Sequence, residues 1–354
     1  MSSAWRGRPA SGRHSLSAVA DLPPDEAYRL VQGFRAYQML VAACELKLPD
    51  LLAAGPKSVH DLAAATETHE PSLRRFLRGL AVWGLVDQQD GDCYAGTALA
   101  DSFRSDIPGM RNMTLNLAAE AYTAWGSILY SLRTGEPAFE HVFGRSRWDV
   151  LADDPQAAAR FNAHMVEITS RVAAGFVRAY DMNGIATVVD VGGGNGALLA
   201  AVLQANPRIE GVLFDVPAGI AGARAFLESA GVADRTTLVE GSFFESVPPA
   251  DLHMLKSIVH DWDDEHAIQI LRTCRRAMRS SGRLVLVERI LPERIEGLPS
   301  SLDAVMLDLH MMVVLGGRER TSDEFRKLLA AADLRMTRTI PAASGFGIFE
   351  AVPA

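Results

Sequence analysis

Hydrophobic positions change their spacing near Ile185, and this change divides the sequence into two kinds of region. Before Ile185, apolar residues recur mostly at intervals of three and four, which is the spacing of one face of an α-helix. After it, short β-branched and apolar runs alternate with helical stretches. Alternating strands and helices predict an α/β fold in which helices cover both faces of a parallel sheet.

Five strands are predicted in this C-terminal region, with helical stretches between them. This order is typical of a Rossmann-like, doubly wound sheet, which binds ligands at the carboxyl ends of its strands. The predicted strands are Thr187–Val191, Gly211–Phe214, Thr237–Glu240, Leu252–Leu255 and Arg283–Glu288.

The N-terminal pattern of helix, turn, helix and hairpin predicts a mostly helical winged-helix domain. Helical spacing covers Asp25–Cys44, and Ser58 is predicted to cap a helix that has Asp61 at its third position. Pro71 is predicted to be the first residue of the next helix. The buried face of that helix is predicted to contain Leu73, Phe76, Leu77 and Leu80. The hairpin after it is predicted to consist of Val82–Val86 and Asp90–Tyr94.

These patterns divide the chain into four segments. Residues 1–22 are expected to be a disordered arm, and residues 23–105 the winged-helix-like domain. A helical region follows over residues 106–182, and the α/β domain covers residues 183–354. Because the chain has 354 residues, it is also too long for one ordinary core.

Composition excludes several classes of protein. The formal net charge is -8, so a nucleic-acid backbone is a poor partner. The three cysteines, Cys44, Cys93 and Cys274, lie far apart and predict neither a zinc site nor a disulfide framework. No segment has the length of a membrane span or the apolar core of a signal peptide. We therefore expect a cytoplasmic protein without a membrane partner.

A glycine-rich loop follows the first predicted strand, over Asp190–Ala197. Glycines at this position allow a tight turn and a close approach of the backbone to a ligand. The loop also matches a dinucleotide-binding pattern. A third interpretation is a glycine turn that binds no ligand. Asp215 ends the second strand, where an acidic side chain can bind ribose hydroxyls or cap a helix.

Ser242 and Phe243 follow the third strand and are candidates for an adenine pocket; the alternative for Phe243 is ordinary core packing.

His260 follows the fourth strand, and an imidazole can remove a phenolic proton. The alternative is a structural histidine. Glu288 or Glu319 could orient His260. Both could instead pair at the surface with Arg289, Arg318 or Arg320.

Several motifs occur in order along the chain: DVGGGNG, FDVP, EGSFF, LKSIVHDWDDE, LVERI and GGRERT. Together they make nearly the whole chain resemble the small-molecule O-methyltransferases typified by plant caffeic acid and isoflavone enzymes and by bacterial polyketide and phenazine enzymes. The resemblance implies S-adenosyl-L-methionine as cofactor, S-adenosyl-L-homocysteine as product, and no metal. It also implies a small aromatic hydroxyl substrate and a homodimer formed through the N-terminal domain.

The resemblance also implies roles for individual residues. His260 corresponds to the catalytic base, and Glu288 and Glu319 to the two glutamates that flank it. One residue departs from the family pattern, since Ser242 stands where the family usually has Asp. The implied cofactor contacts are Gly192, Asp215, Ser242, Phe243 and Lys256, and the implied substrate contacts are Phe161, Met165, His310 and Val314.

Three alternatives to methyl transfer remain at this point. A relative with the same cofactor could hydroxylate, decarboxylate or cyclise its substrate. A winged-helix regulator could bind DNA through Arg74, Arg75 and Arg78. A dinucleotide dehydrogenase would use the glycine loop, but it would give the HDW and GGRERT motifs no role.

Overall fold

The computed structural model describes residues 24–295, 302–342 and 345–354. The described residues divide into two compact units, with the boundary between residues 107 and 108. The arm predicted over residues 1–22 lies outside the described residues. The further division of the second unit at residue 182 stays a prediction.

The first unit combines helices with a three-stranded sheet of order β1-β3-β2. The prediction for Ser58 is confirmed, because its hydroxyl accepts a hydrogen bond from the Asp61 backbone N–H. Pro71 is the second residue of its helix and not the first, since that helix begins at Glu70. The elements are α1 Pro24–Glu45, α2 Leu48–Leu52, β1 Lys57–Ser58, α3 Val59–Thr66, α4 Glu70–Val82, β2 Val86–Gln89, β3 Cys93–Gly96 and α5 Ala98–Asp101.

The hairpin of this unit begins later than the sequence predicted. Val82 still belongs to α4, whose apolar face buries Leu73, Leu77 and Leu80. The first hairpin strand starts at Val86 and pairs antiparallel with β3. Val82 itself is 85% exposed, so it ends the helix on its outer side and takes no part in the hairpin.

The first part of the second unit is helical, as predicted. The residues Leu117–Ala121 form a short π-helical segment, in which Ala119 has non-helical backbone angles. The helices are α6 Arg111–Asn116, α7 Tyr122–Trp125, α8 Ile128–Thr134, α9 Ala138–Phe143, α10 Arg147–Asp153 and α11 Pro155–Ala179.

A seven-stranded sheet of order β6-β5-β4-β7-β8-β10-β9 forms the centre of the second unit. All five predicted strands are present. The helices α12, α13, α14, α15, α16 and α17 cover Ala197–Ala205, Pro217–Ile220, Ala223–Ser229, Asp264–Ala277, Leu302–Val314 and Ser322–Ala331. The strands are β4 Thr187–Val191, β5 Glu210–Asp215, β6 Thr236–Glu240, β7 Ala250–Lys256, β8 Met278–Arg289, β9 Leu334–Pro341 and β10 Phe346–Pro353.

The prediction of a parallel sheet is confirmed for the five predicted strands, β4 to β8, whereas the two C-terminal strands, which the sequence did not predict, are antiparallel. Strand β10 pairs antiparallel with both β8 and β9. A short connection between Pro341 and Phe346 cannot contain a crossover helix, so it can join only antiparallel neighbours. Because β4 to β8 run parallel, their carboxyl ends meet at one edge of the sheet, where the predicted site residues lie.

Candidate active site

In the glycine loop after β4, side chains would either strain the backbone or clash with neighbouring residues. Gly192, Gly194 and Gly196 have positive φ angles of 70°, 56° and 82°. A Cβ atom on Gly192 would lie 2.5 Å from Ile258, and one on Gly193 would lie 2.4 Å from Leu213. Glycine is therefore required here both for the turn and for the close approach of neighbouring chain.

Asp215 ends β5 beside this loop, as predicted. Its two carboxylate oxygens accept hydrogen bonds from the backbone N–H groups of Gly194, at 2.8 Å, and Val216, at 2.7 Å. Burial raises the pKa of Asp215, while these two backbone hydrogen bonds act against the rise. The carboxylate is thus held at the loop with lone pairs available to a hydroxyl group.

A cavity of about 310 Å³ opens at this edge of the sheet. Its volume lies within the range of small-molecule sites. The cavity wall contains all five residues predicted to contact the cofactor: Gly192, Asp215, Ser242, Phe243 and Lys256. The structure therefore brings together residues that are separated by up to 64 positions in the sequence.

Aromatic side chains form one side of the cavity. Phe243 lies edge-on to Trp262, with ring centroids 6.1 Å apart, and Trp262 stacks with Trp148 at 6.2 Å. The Ser242 hydroxyl accepts a hydrogen bond from the Phe244 backbone N–H at 3.3 Å. Ser242 therefore shapes the turn that presents Phe243, in addition to lying on the cavity wall. The contribution of the two tryptophans was not recognised from the sequence.

His260 lies in a 3-10 turn just after β7, and its neighbours Ile258 and Asp261 line the cavity. Its Nδ1 donates a hydrogen bond to Glu319 Oε1 at 2.6 Å. Its other ring nitrogen, Nε2, lies 3.3 Å from Asp261 Oδ1. The imidazole is thus fixed by a carboxylate on each side.

Glu288 has a different role from Glu319. Its Oε1 accepts the backbone N–H groups of Ile258 and Val259, both at 3.0 Å, so Glu288 holds the backbone of the histidine turn. Its Oε2 lies 3.9 Å from His260 Nδ1. Surface ion pairing is excluded for both glutamates, because Glu288 is 0% and Glu319 1% exposed. The neighbouring arginines Arg289, Arg318 and Arg320 pair with Asp303, Glu324 and Asp264, respectively.

The electrostatics of His260 depend on these carboxylates. Burial alone would lower the pKa of His260. The negative charges of Glu319, Asp261 and Glu288 outweigh burial and raise the pKa to about 10. Asp261 itself has a pKa raised to about 6 by burial. Sequence reasoning did not select Asp261, although its position directly after His260 was the available signal.

Two further buried charges lie at the cavity. Burial lowers the pKa of Lys256 to about 8, against the opposing influence of Glu288, Asp261 and Asp190. Burial also raises the pKa of Asp190 to about 7. Asp190 Oδ2 and Asn195 Oδ1 are buried without a hydrogen-bond partner in the described part of the chain. Unpaired acceptors beside a glycine loop suit a ligand with ammonium or hydroxyl donors.

The segment that carries Glu319 packs tightly against the histidine turn. The Arg318 backbone N–H donates to the His260 carbonyl oxygen at 2.8 Å. Arg320, only 1% exposed, donates to the carbonyl oxygens of Val259, at 2.8 Å, and Trp262, at 3.0 Å. These contacts join the GGRERT motif to the HDW motif.

The predicted substrate residues occupy different surroundings. Phe161 and Met165, both on α11, line the cavity. Val314 is 2% exposed and belongs to a buried cluster against which Phe161 packs. His310 accepts a hydrogen bond from Trp125 at 3.1 Å. Contacts of Val314 and His310 with a substrate stay predictions.

Two family models match this chain. The O-methyltransferase domain matches residues 125–335, and the O-methyltransferase dimerisation domain matches residues 28–106. The fold and the cavity define an S-adenosylmethionine-dependent methyltransferase. The chain belongs to the O-methyltransferase family.

Characterised relatives cover nearly the full length of the chain. A phenazine O-methyltransferase of Lysobacter antibioticus is 41% identical over 92% of this chain and 95% of its own. An O-demethylpuromycin-O-methyltransferase of Streptomyces alboniger is 38% identical over 92% of this chain and 88% of its own. Aclacinomycin 10-hydroxylase of Streptomyces purpurascens is 34% identical over 84% of this chain and 80% of its own.

Solved structures share the fold at similar levels of identity. The crystal structure of LaPhzM has a TM-score of 0.89 and 40% identity, covering 94% of this chain and 100% of that chain. An O-methyltransferase from neocarzinostatin biosynthesis, solved with S-adenosylmethionine and 2-hydroxy-5-methyl naphthoic acid, has a TM-score of 0.80 and 30% identity, with coverages of 90% and 96%. S-adenosylmethionine is thus the cofactor of this family and of this chain.

Other features of the structure bear on the remaining predictions. No group of three or more potential metal ligands is present among residues 24–295, 302–342 and 345–354. In the same residues, no helix is both long and apolar enough to cross a membrane. Arg74, on the predicted recognition helix, donates to Asp92 and Glu70, both at 2.8 Å. Arg74, one of the three arginines that a DNA-binding regulator would use, is thus paired within its own unit.

Proposed function

We propose that this enzyme methylates a hydroxyl group of a small aromatic secondary metabolite and that His260 is its general base. The observation that carries this proposal is the buried His260–Glu319 pair beside the cavity. The wall of aromatic side chains suits a flat aromatic acceptor. Named relatives that methylate phenazines and demethylpuromycin support the same acceptor class.

The chain contributes alignment and proton transfer. When bound, S-adenosylmethionine supplies an activated methyl group on a positively charged sulfur. Gly192, Asp215 and Lys256 would hold the cofactor, while Phe161 and Met165 would hold the acceptor ring. Alignment of two reacting groups can contribute about 7–11 kcal/mol. Removal of the hydroxyl proton by a base contributes roughly 10²–10⁴-fold.

His260 must be neutral before it can accept a proton. With its pKa raised to about 10, the imidazole is charged at neutral pH in the protein without ligands. A positive charge bound in the neighbouring cavity lowers the pKa of a histidine. We infer that His260 becomes a base only when the cofactor is in place, and that the acceptor hydroxyl then replaces Asp261 at Nε2.

The sequence similarity to aclacinomycin 10-hydroxylase keeps a non-methylating reaction as the second candidate. That candidate shares the cofactor and the fold, so binding of S-adenosylmethionine does not distinguish the two. The buried base with its glutamate partner favours methyl transfer, because proton removal from a hydroxyl is what the transfer requires.

A comparison of wild type with His260→Ala tests the proposal. Formation of S-adenosylhomocysteine is measured with a pooled panel of aromatic hydroxy compounds, and mass spectrometry identifies the methylated product. We expect turnover by wild type and at least a 100-fold loss in His260→Ala, with cofactor affinity retained. Turnover that survives the substitution, or equal loss of turnover and cofactor binding, would contradict the role of His260.

We further propose that the enzyme is a homodimer assembled through its N-terminal unit, as the matched dimerisation domain suggests. A cytoplasmic location and the absence of a metal, nucleic-acid or membrane partner stay predictions.

A further inference from the structure

The carboxylate of Glu319 makes few contacts of its own. Its Oε1 accepts the hydrogen bond from His260 Nδ1 at 2.6 Å. Its Oε2 is buried without a hydrogen-bond partner in the part of the chain that the structure describes. A glutamate side chain has several rotatable bonds, so one hydrogen bond at its far end does not fix where it begins. The position of this carboxylate therefore depends on the backbone of Glu319.

The backbone around Glu319 is attached at three points. The Arg318 N–H donates to the His260 carbonyl oxygen at 2.8 Å, and the Arg320 carbonyl oxygen accepts an N–H from the chain just after β8, at 3.0 Å. Both of these contacts hold neighbours of Glu319. The N–H of Glu319 itself donates to Asp308 Oδ1 at 2.9 Å. Asp308 lies in α16, so this contact relates Glu319 directly to that helix.

The covalent connection from α16 does not fix this relation, because it contains two glycines. The helix ends at Val314, and Gly316 and Gly317 precede Glu319. Gly316 has a φ angle of 77°, and glycine is the residue with the greatest backbone freedom. Asp308 bridges this flexible connection from a position 11 residues before Glu319, inside the helix.

The contact depends on an acceptor oxygen and not on a negative charge. Burial raises the pKa of Asp308, and the charge of Glu319 acts in the same direction, whereas the hydrogen bond from the Glu319 N–H lowers the pKa. Two neighbouring carboxylates repel each other, so the charge of Asp308 opposes the arrangement that its oxygen stabilises. An amide oxygen at the same place would accept the same N–H group without this repulsion.

We propose that Asp308 is a positioning residue for the reaction, which holds the Glu319 backbone N–H so that the Glu319 carboxylate meets Nδ1 of His260. This inference rests on the proposed function, in which Glu319 orients the base. Asp308 is not among the described residues that line the cavity. We therefore expect it to influence kcat through Glu319 and to leave cofactor binding unchanged.

Asp308→Ala and Asp308→Asn separate the acceptor from the charge. Alanine leaves the backbone N–H without its partner, whereas asparagine keeps an oxygen in place. We expect kcat for S-adenosylhomocysteine formation to fall at least about 10-fold in Asp308→Ala and to stay within about threefold of wild type in Asp308→Asn. Calorimetry should give both variants the wild-type affinity for S-adenosylhomocysteine.

Two further variants complete this comparison. Asp308→Leu fills the same space without an acceptor, so it should lose as much kcat as Asp308→Ala and takes its place if the alanine variant does not fold. Asp303→Ala removes an exposed carboxylate from the same helix and should keep the wild-type kcat. Circular dichroism establishes the fold of each variant.

A double substitution tests whether Asp308 acts through Glu319. Glu319→Ala removes the carboxylate that Asp308 is proposed to place, so the addition of Asp308→Ala should lower kcat by no more than about twofold. Independent effects would multiply instead. A multiplied loss, wild-type kcat in Asp308→Ala, or equal losses in Asp308→Ala and Asp308→Asn would overturn the proposal.

The Nδ1 proton of His260 provides a measurement that needs no turnover. In a hydrogen bond of 2.6 Å to a carboxylate, this proton resonates at unusually low field in the ¹H spectrum, and its absence from His260→Ala assigns it. We expect the wild-type signal in Asp308→Asn and Asp303→Ala, and its loss or upfield shift in Asp308→Ala. An unchanged signal in folded Asp308→Ala would overturn the proposal.

The same signal separates this inference from the proposed function. If wild type and His260→Ala turn over equally, the role of His260 as base fails. The placement of Glu319 by Asp308 would still be supported if the proton signal changes in Asp308→Ala and persists in Asp308→Asn.

Discussion

Three carboxylates surround His260, and each has a separate effect on it. Glu319 holds Nδ1 at 2.6 Å, Asp261 lies 3.3 Å from Nε2, and Glu288 holds the backbone of the turn. A negative charge at Nδ1 fixes the orientation of the ring and stabilises the imidazolium that forms when it takes a proton. The same charge helps to raise the pKa of the histidine, so Glu319 influences both the orientation of the ring and its basicity.

Glu319→Gln should separate these two effects. The amide oxygen can still accept from Nδ1, but the negative charge that raises the pKa of His260 is lost. We expect kcat to fall about 10- to 1,000-fold and the pH-rate profile of kcat to rise at lower pH than in wild type, because the base loses its proton more easily.

The measurement is the initial rate of S-adenosylhomocysteine formation between pH 5 and 10. Glu265→Gln, exposed in the first turn of α15, serves as the matched control. A variant with the wild-type pH dependence would show that Glu319 does not influence the titration of the base.

Two loops that are distant in sequence are joined by hydrogen bonds at the site. The histidine turn follows β7, and the segment 316–320 lies between α16 and α17. Arg320 donates to carbonyl groups on both sides of His260, and the Arg318 N–H donates to His260 itself. The position of the base therefore depends on packing between these loops as much as on its own strand.

Gly317→Ala should displace the histidine turn. A Cβ atom there would lie 2.1 Å from the His260 carbonyl oxygen and 2.4 Å from the Asp261 carbonyl carbon. Both contacts are with backbone, so the loops must move apart. We expect kcat to fall by at least about 10-fold, since small misplacements of a catalytic group cost rate steeply.

Lys327→Ala, on the exposed side of α17, is the control for this substitution. Circular dichroism would establish that the variant folds, and calorimetry would measure its affinity for S-adenosylhomocysteine. Wild-type kcat in Gly317→Ala would mean that the loops tolerate a methyl group and that the close approach has no role in catalysis.

At the scale of the whole molecule, the N-terminal unit exposes a row of apolar side chains along α1. Tyr28, Leu30, Val31 and Phe34 are 64%, 83%, 67% and 55% exposed, respectively. Adjacent exposed apolar residues usually mark an interaction surface. Together with the matched dimerisation domain, they favour α1 as part of the proposed dimer interface.

Leu30→Glu combined with Phe34→Glu should weaken the dimer. Two charges placed in an apolar interface would lose solvation without gaining partners. Sedimentation equilibrium should show a wild-type dimer at micromolar concentration and at least a 100-fold larger dissociation constant for the double variant. Arg29→Glu, exposed on the opposite face of the same helix, should behave as wild type. A monomeric wild type would contradict the assembly itself.

The sequence alone determined the elements and the edge at which the site forms. Strand and helix periods are local properties, so the five parallel strands and the cap at Ser58 could be predicted from neighbouring residues. Because parallel strands share one carboxyl edge, the glycine loop, Asp215, Ser242 and His260 were predicted to meet there. The predicted helix position of Pro71 and the predicted start of the hairpin differ from the structure by only a few residues.

Only the tertiary structure decided how these residues are paired. Glu319 lies 59 positions from His260, and His310 lies 185 positions from Trp125. No local period encodes such contacts, because they depend on how helices and loops pack after the sheet has formed. The antiparallel strands β9 and β10 and the three-carboxylate surroundings of His260 have the same origin. The sequence determines which groups reach the site, and packing determines the partner and the charge that each of them has.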